Sequence, residues 1–167
     1  MFWNDAKLIQ WAERGGVIPF EEGLINPASI DLRVGKHYRV PTKTGWSASM
    51  EIPNEGLVIH PNNLILLHTH EYTKIPVNAV AFIFLKSTIG RRGIEHLHAG
   101  YGDPGFEGQW TLEVINHWPH PQLIRKEEPL IQLILCDVLK PYKTYDQTGH
   151  YQGQEGPTVP WKKYFPK

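Results

Sequence analysis

The chain has 167 residues, 41% of them hydrophobic, which is enough for one ordinary domain to pack a core without disulfides or structural metal. Seventeen basic residues balance seventeen acidic ones, so no global field draws the protein to nucleic acid or an anionic membrane, and an anionic ligand must be held by local charge. One cysteine excludes an intrachain disulfide framework, and the sequence reads as soluble and intracellular, cytoplasmic in location, with neither an apolar leader nor a run of about 20 apolar residues.

In chain order, Leu8, Ile9, Trp11 and Ala12 fall near helical spacing, with Asn4 or Asp5 as N-cap and Gly15-Gly16 as stop, which predicts one short helix over Asp5 to Arg14. The pattern then turns to short β-rich runs separated by Gly, Pro and Asn. These are Ser29 to Val34, His37 to Val40, Leu57 to Ile59, Leu64 to His70, Ala79 to Leu85, Trp110 to Ile115 and Leu130 to Leu139. Many short strands with frequent turns predict a mainly β sandwich, jelly roll or barrel. Cys136 lies in the last apolar run and reads as a buried, inert thiol. From Tyr142 to Lys167 aliphatic residues are too few for a core strand, so this segment is either a frayed tail or a lid.

Three stretches carry chemistry. Lys86-Ser87-Thr88-Ile89-Gly90-Arg91-Arg92-Gly93 follows an apolar strand with hydroxyls, glycine and cations, which suits a phosphate site but equally a solvated basic turn. Asp103-Pro104-Gly105 is a turn signal leading into a strand. Alternation in that strand sets Trp110, Leu112 and Val114 on one face and Thr111, Glu113 and Ile115 on the other. Glu113 thus stands among apolar neighbours, where a carboxylate is wet at an edge, pairs with a cation such as Arg91, or works as an acid and base. The His68/His70 and His96/His98 pairs have strand spacing for metal, but no third ligand follows at a suitable interval. The zinc-deaminase Pro-Cys-x-x-Cys element is absent, so a deaminase here would activate water without zinc.

Together these segments resemble the dCTP deaminase family of the dUTPase-like superfamily. Pro27-Ala28-Ser29-Ile30-Asp31-Leu32-Arg33 is similar to its early strand motif, Lys86 to Gly93 to its Arg-Ser-Ser-x-x-Arg-x-Gly segment, and Asp103 to Gly108 with Thr111-Leu112-Glu113 to its Asp-Pro-Gly-Phe-x-Gly…Thr-Leu-Glu segment. Tyr151 to Thr158 is similar to the tail that closes over the nucleotide. The resemblance implies a dUTPase-like distorted β-barrel or jelly roll, one domain over 1–167 with a lid from about 142, and a homotrimer with active sites between subunits.

It also implies hydrolytic deamination of dCTP to dUTP and ammonia. Glu113 would be general base and acid, Ser87 and the Ala99 carbonyl would hold the water, and Arg91 would orient Glu113. Lys86, Ser87, Thr88, Arg91, His96, Asp103, Thr111, Gln132, Tyr145, His150 and Gln154 match nucleotide-binding positions, with Mg²⁺ arriving on the triphosphate rather than on the protein. Alternatives are a bifunctional enzyme that carries dUTP on to dUMP and pyrophosphate, or a deaminase of dCMP or of a 5-substituted deoxycytidine nucleotide. Lys86 and His150 stand where the family usually has arginine and lysine, Pro160 and Trp161 replace a small polar ending, and the interval from Arg91 to Asp103 is shorter than usual. These departures surround the ligand and bear on which cytosine nucleotide is used.

Overall fold

The computed structural model describes residues 1–97 and 99–161; His98, and with it the His96/His98 pair, lies outside the described residues, as does the end of the tail beyond 161. The helix forms over Asp5–Trp11, capped by the Asn4 side chain accepting from the Lys7 backbone N–H at 3.1 Å, and passes into an irregular turn over Ala12–Gly16. Its Leu8 is fully buried.

The rest is mainly β. One antiparallel sheet has the strand order Tyr101–Gly102, Ala79–Leu85, Pro129–Asp137, Ser29–Arg33 and Ile25–Asn26. A second sets Thr111–Asn116 between Ile94–His96 and Leu64–His68. Period-two alternation decides which side chains each sheet turns inward. Ala79, Ala81, Ile83, Leu133 and Leu135 from the first sheet join Leu67, Leu112 and Val114 from the second in one apolar core. Leu67 and Leu112 are paired across strands and both fully enclosed, each worth roughly 1.5–3 kcal/mol of burial.

The same alternation corrects the expectation for Cys136. It pairs with Val80 on the outward side of the sheet and is half-buried, because its neighbours Leu133 and Leu135 take the inward positions. Phe82 and Phe84, stacked at 6.4 Å, share that outward side, and Tyr101 packs edge-on to Phe82 at 5.6 Å. No helix among the described residues is long and apolar enough to cross a membrane.

Candidate active site

The Thr111–Asn116 strand behaves as its alternation requires. Leu112 and Val114 are buried in the core, while Thr111, Glu113 and Ile115 are half-buried on the opposite face. That face opens onto a cavity of about 350 Å³, and Glu113, Thr111, Asp103, Ala99, Tyr145 and Gln154 all line it. Six of the expected positions, from four separated segments of the chain, therefore meet in one place.

Aromatic packing builds one wall. Trp110 lies 5.0 Å from Phe106, which meets the edge of Tyr145 at 5.5 Å. The indole of Trp110 donates to the Thr73 hydroxyl at 3.0 Å and covers Gly102 so closely that a Cβ there would fall 2.3 Å from its ring. Gly102 is thus a close-approach position: any side chain would push the tryptophan out of the wall. The Tyr145 phenol is held above the usual tyrosine value, by burial first and by the Asp103 charge as well, against a hydrogen bond from the Tyr151 N–H. It stays a hydroxyl donor at neutral pH.

The tail supplies a second wall, and it does so through polar contacts. Gln109 and Gln154 exchange bonds, with the Gln109 N–H donating to the Gln154 carbonyl at 2.9 Å and the Gln154 amide donating back to the Gln109 carbonyl at 2.8 Å. The Gly156 N–H donates to the Gln109 side chain at 2.7 Å, and the Thr158 N–H to the Thr111 hydroxyl at 3.0 Å. Thr158, Val159 and Pro160 consequently line the cavity.

Glu113 Oε2 and His96 Nε2 are buried polar atoms with no hydrogen-bond partner among the described residues; Glu113 lines the cavity, and His96 does not. They face each other at 3.5 Å, and His96 is only 3% exposed. An enclosed polar atom without a partner costs about 1–3 kcal/mol, and at 3.5 Å these two lie within ion-pair distance whenever the imidazole carries a proton.

Not every expected residue reaches this cavity. Lys86 is half-buried and ion-paired with Asp31, which also accepts from the Asn26 amide at 2.9 Å. Gln132 donates to the Ser29 hydroxyl at 3.2 Å on the outward side of the first sheet. Ser87, Thr88 and Arg91 are exposed on and just after the short helix Ser87–Gly90. His150 lines the adjoining cleft with Asp103 and Tyr145, and its ring stacks on Trp161 at 5.0 Å. The expected Arg91 contact with Glu113 is not made within this chain, where His96 is the nearby side chain. Trp46, Tyr101 and Tyr151 line the cavity without having been singled out. For Tyr101 a signal existed, since it alternates with Ala99 and Asp103.

Among the described residues no group of three or more His, Cys, Asp or Glu side chains is placed to hold a metal ion. The Glu113 cavity carries two carboxylates, Asp103 and Glu113, from separate turn and strand positions.

A family model described as dCTP deaminase-like matches residues 4–138. The dUMP-forming dCTP deaminase of Persephonella marina is 32% identical, with 95% of this chain and 96% of its own length covered. The dCTP deaminase of Ignicoccus hospitalis is 30% identical, with 96% and 97% covered. Among solved structures, 2'-deoxycytidine 5'-triphosphate deaminase from Agrobacterium tumefaciens is similar with a TM-score of 0.69 at 18% identity over 80% of this chain. The match spans 47% of that longer chain and shows the fold, a mainly β architecture with a short N-terminal helix.

Proposed function

The chain belongs to the dCTP deaminase-like family, and on that premise we propose that it hydrolyses the 4-amino group of dCTP to give dUTP and ammonia, with Glu113 as general base and acid. The observation that carries the reading is the half-buried Glu113 carboxylate on the wall of the cavity that Ala99, Asp103, Tyr145 and Gln154 also line, with its Oε2 enclosed 3.5 Å from His96 Nε2. A carboxylate on a cavity wall can take a proton from a water held against it. That water's oxygen then adds to cytosine C4. Glu113 passes the first proton to N3 and the second to the amine, and the C4–N bond breaks with ammonia leaving. Ala99, on the cavity wall, supplies a carbonyl to hold the water. Tyr145 and Gln154 offer donors to the sugar and phosphates, and Asp103 stands beside the deoxyribose. The substrate is the Mg²⁺ complex of the nucleotide.

The remaining donors, Ser87 and Arg91 above all, reach such a site from a neighbouring copy in this reading. They are exposed here, and the strand leading into them carries Phe84, 50% exposed, stacked on Phe82, which in turn meets Tyr101, 54% exposed. A contiguous aromatic face next to unplaced functional side chains supports a homotrimer with sites between subunits.

A second reading is favoured by Asp103, which lines the same cavity as Glu113. A carboxylate there can direct water onto the α-phosphate, carrying dUTP on to dUMP and pyrophosphate, and the Persephonella marina relative is named as dUMP-forming. Incubation with dCTP and Mg²⁺, assaying ammonia and pyrophosphate separately, tests both. Ammonia with dUTP and no pyrophosphate establishes the monofunctional deaminase, and dUMP with pyrophosphate the bifunctional enzyme. Glu113→Gln is expected to lower ammonia release by about 10²–10⁴-fold, the usual worth of a general acid–base group. Retained release in that variant removes Glu113 from the mechanism. If dCTP is untouched, the same assay on dCMP and 5-substituted dCTP decides between a different cytosine nucleotide and no deamination.

A further inference from the structure

Trp46 enters the cavity from an element that the deamination reading does not use. A two-stranded hairpin pairs Pro41 with Trp46 and Thr42 with Gly45, and Gly45 turns it at φ 133°. Its base is fixed where Arg39 and Leu66 exchange both backbone hydrogen bonds at 2.9 Å. Leu66 in turn lies directly across the ladder from Glu113. Trp46 is half-buried, and with Leu66, Val159 and Pro160 it adds apolar lining, apart from the Phe106–Trp110 wall, to the cavity that Glu113 shares.

The Arg39 guanidinium holds this wall together. Its Nε donates to the Pro157 carbonyl at 2.8 Å and an NH group donates to the Ser47 carbonyl at 2.6 Å. Ser47 follows Trp46 directly, and Pro157 precedes Thr158, which is itself bonded to Thr111. One side chain therefore sets the hairpin against the tail, and the two cavity walls they carry are positioned together.

The chemistry of a cytosine ring says which edge meets that wall. N3 and O2 require hydrogen-bond partners, whereas C5 and C6 carry only hydrogens. With C4 at Glu113, the apolar surface of Trp46 and Leu66 suits the C5–C6 edge. Resting on the deaminase reading above, we infer that Trp46 is a specificity-determining residue that limits the size of the group accepted at pyrimidine C5, and that Arg39 is its positioning residue. The preferred base carries hydrogen at C5. Adding a methyl group there meets the indole.

The test separates this inference from the reading on which it rests. In a Glu113→Gln background, chosen to suppress turnover, dissociation constants for dCTP and 5-methyl-dCTP are measured by calorimetry with and without Trp46→Ala. The milder Trp46→Phe serves as a second variant should the alanine chain fail to fold, and Arg39→Met is measured alongside. A methyl group in an apolar pocket is worth about 10–200-fold. Trp46→Ala is expected to shift the affinity ratio toward 5-methyl-dCTP by about 10-fold or more, with Trp46→Phe and Arg39→Met shifting it the same way by less. A ratio that stays within about twofold in every variant overturns the inference. Ammonia release by the unmodified chain is assayed separately, so a protein that binds with the expected ratio but does not deaminate sinks the reaction and leaves the C5 wall standing.

Discussion

At the scale of single residues, His68 shows how enclosure sets a protonation state. It is 4% exposed, its ring stacks on His37 at 5.9 Å, and its Nε2 accepts from the His37 backbone N–H at 3.1 Å. Burial first, and the neighbouring His37 charge second, lower its pKa from 6.5 to about 4. The unfolded chain therefore binds the proton near pH 6.5 and the folded chain only near pH 4, so between those values the unfolded state carries more protons. Stability from this residue is fully present above pH 6.5 and is lost as pH falls toward 4, by about 2–3 kcal/mol at pH 4.5. Denaturant unfolding near neutrality and near pH 4.5 measures this. His68→Gln keeps an acceptor for the His37 N–H and removes the titration, so its loss of stability on acidification is expected to be smaller than that of the unmodified chain by about 2 kcal/mol. Equal losses in the two proteins would assign the acid sensitivity to other groups. The cleft beside His68 is also lined by Gly156 and Pro157, which places the same acid-labile point under the tail.

Among the elements, those with an apolar period were legible from the sequence and those held by polar contacts were not. Ser29 to Val34, Leu57 to Ile59 and Ala79 to Leu85 emerge with bounds within a residue of the expected ones, because alternation and flanking turns decide them locally. The alternation of Thr111 to Ile115 likewise put Glu113 on the correct face. The Pro41–Thr42 and Gly45–Trp46 hairpin was not foreseen, since its stability comes from Arg39 and from pairing at Leu66 rather than from a pattern of its own. Trp46 was invisible as a site residue for that reason. The tail offered too few aliphatic side chains to be a core strand, yet it docks through amide and backbone bonds that composition does not report. Thr111→Val tests how such docking is held. It removes the acceptor for the Thr158 N–H while conserving side-chain shape, at a cost of about 1 kcal/mol. Hydrogen exchange at residues 153–158 is expected to accelerate about fivefold, with the core strands unchanged. Unaltered exchange there would mean that Gln109, Arg39 and the Glu107 carbonyl secure the segment without Thr111.

For the whole molecule, one chain assembles a carboxylate and a cavity walled in part by its tail, yet leaves Ser87, Thr88 and Arg91 on its surface. Under the proposed deamination a second copy would bring those residues to Glu113, with the aromatic side of the first sheet as the surface of approach. Phe82, Phe84 and Tyr101 form it, and the strand carrying both phenylalanines runs directly into Lys86 and Ser87. Burying that face against its equivalents would carry the Ser87–Gly90 turn to a neighbour's cavity in a closed, cyclic arrangement. The consequence is a functional one that no single-chain defect can imitate. Glu113→Gln and Arg91→Ala are each expected to be inactive alone. Mixed in equal amounts, dissociated and reassembled, they would form sites with Glu113 from one copy and Arg91 from another, restoring about a quarter of the unmodified activity in a cyclic trimer. Ammonia release from the mixture measures this, with sedimentation checking that both variants assemble. Activity no greater than the sum of the two variants would place Arg91 outside the Glu113 site or within the same chain, and would require the tail and hairpin walls to enclose the nucleotide unaided.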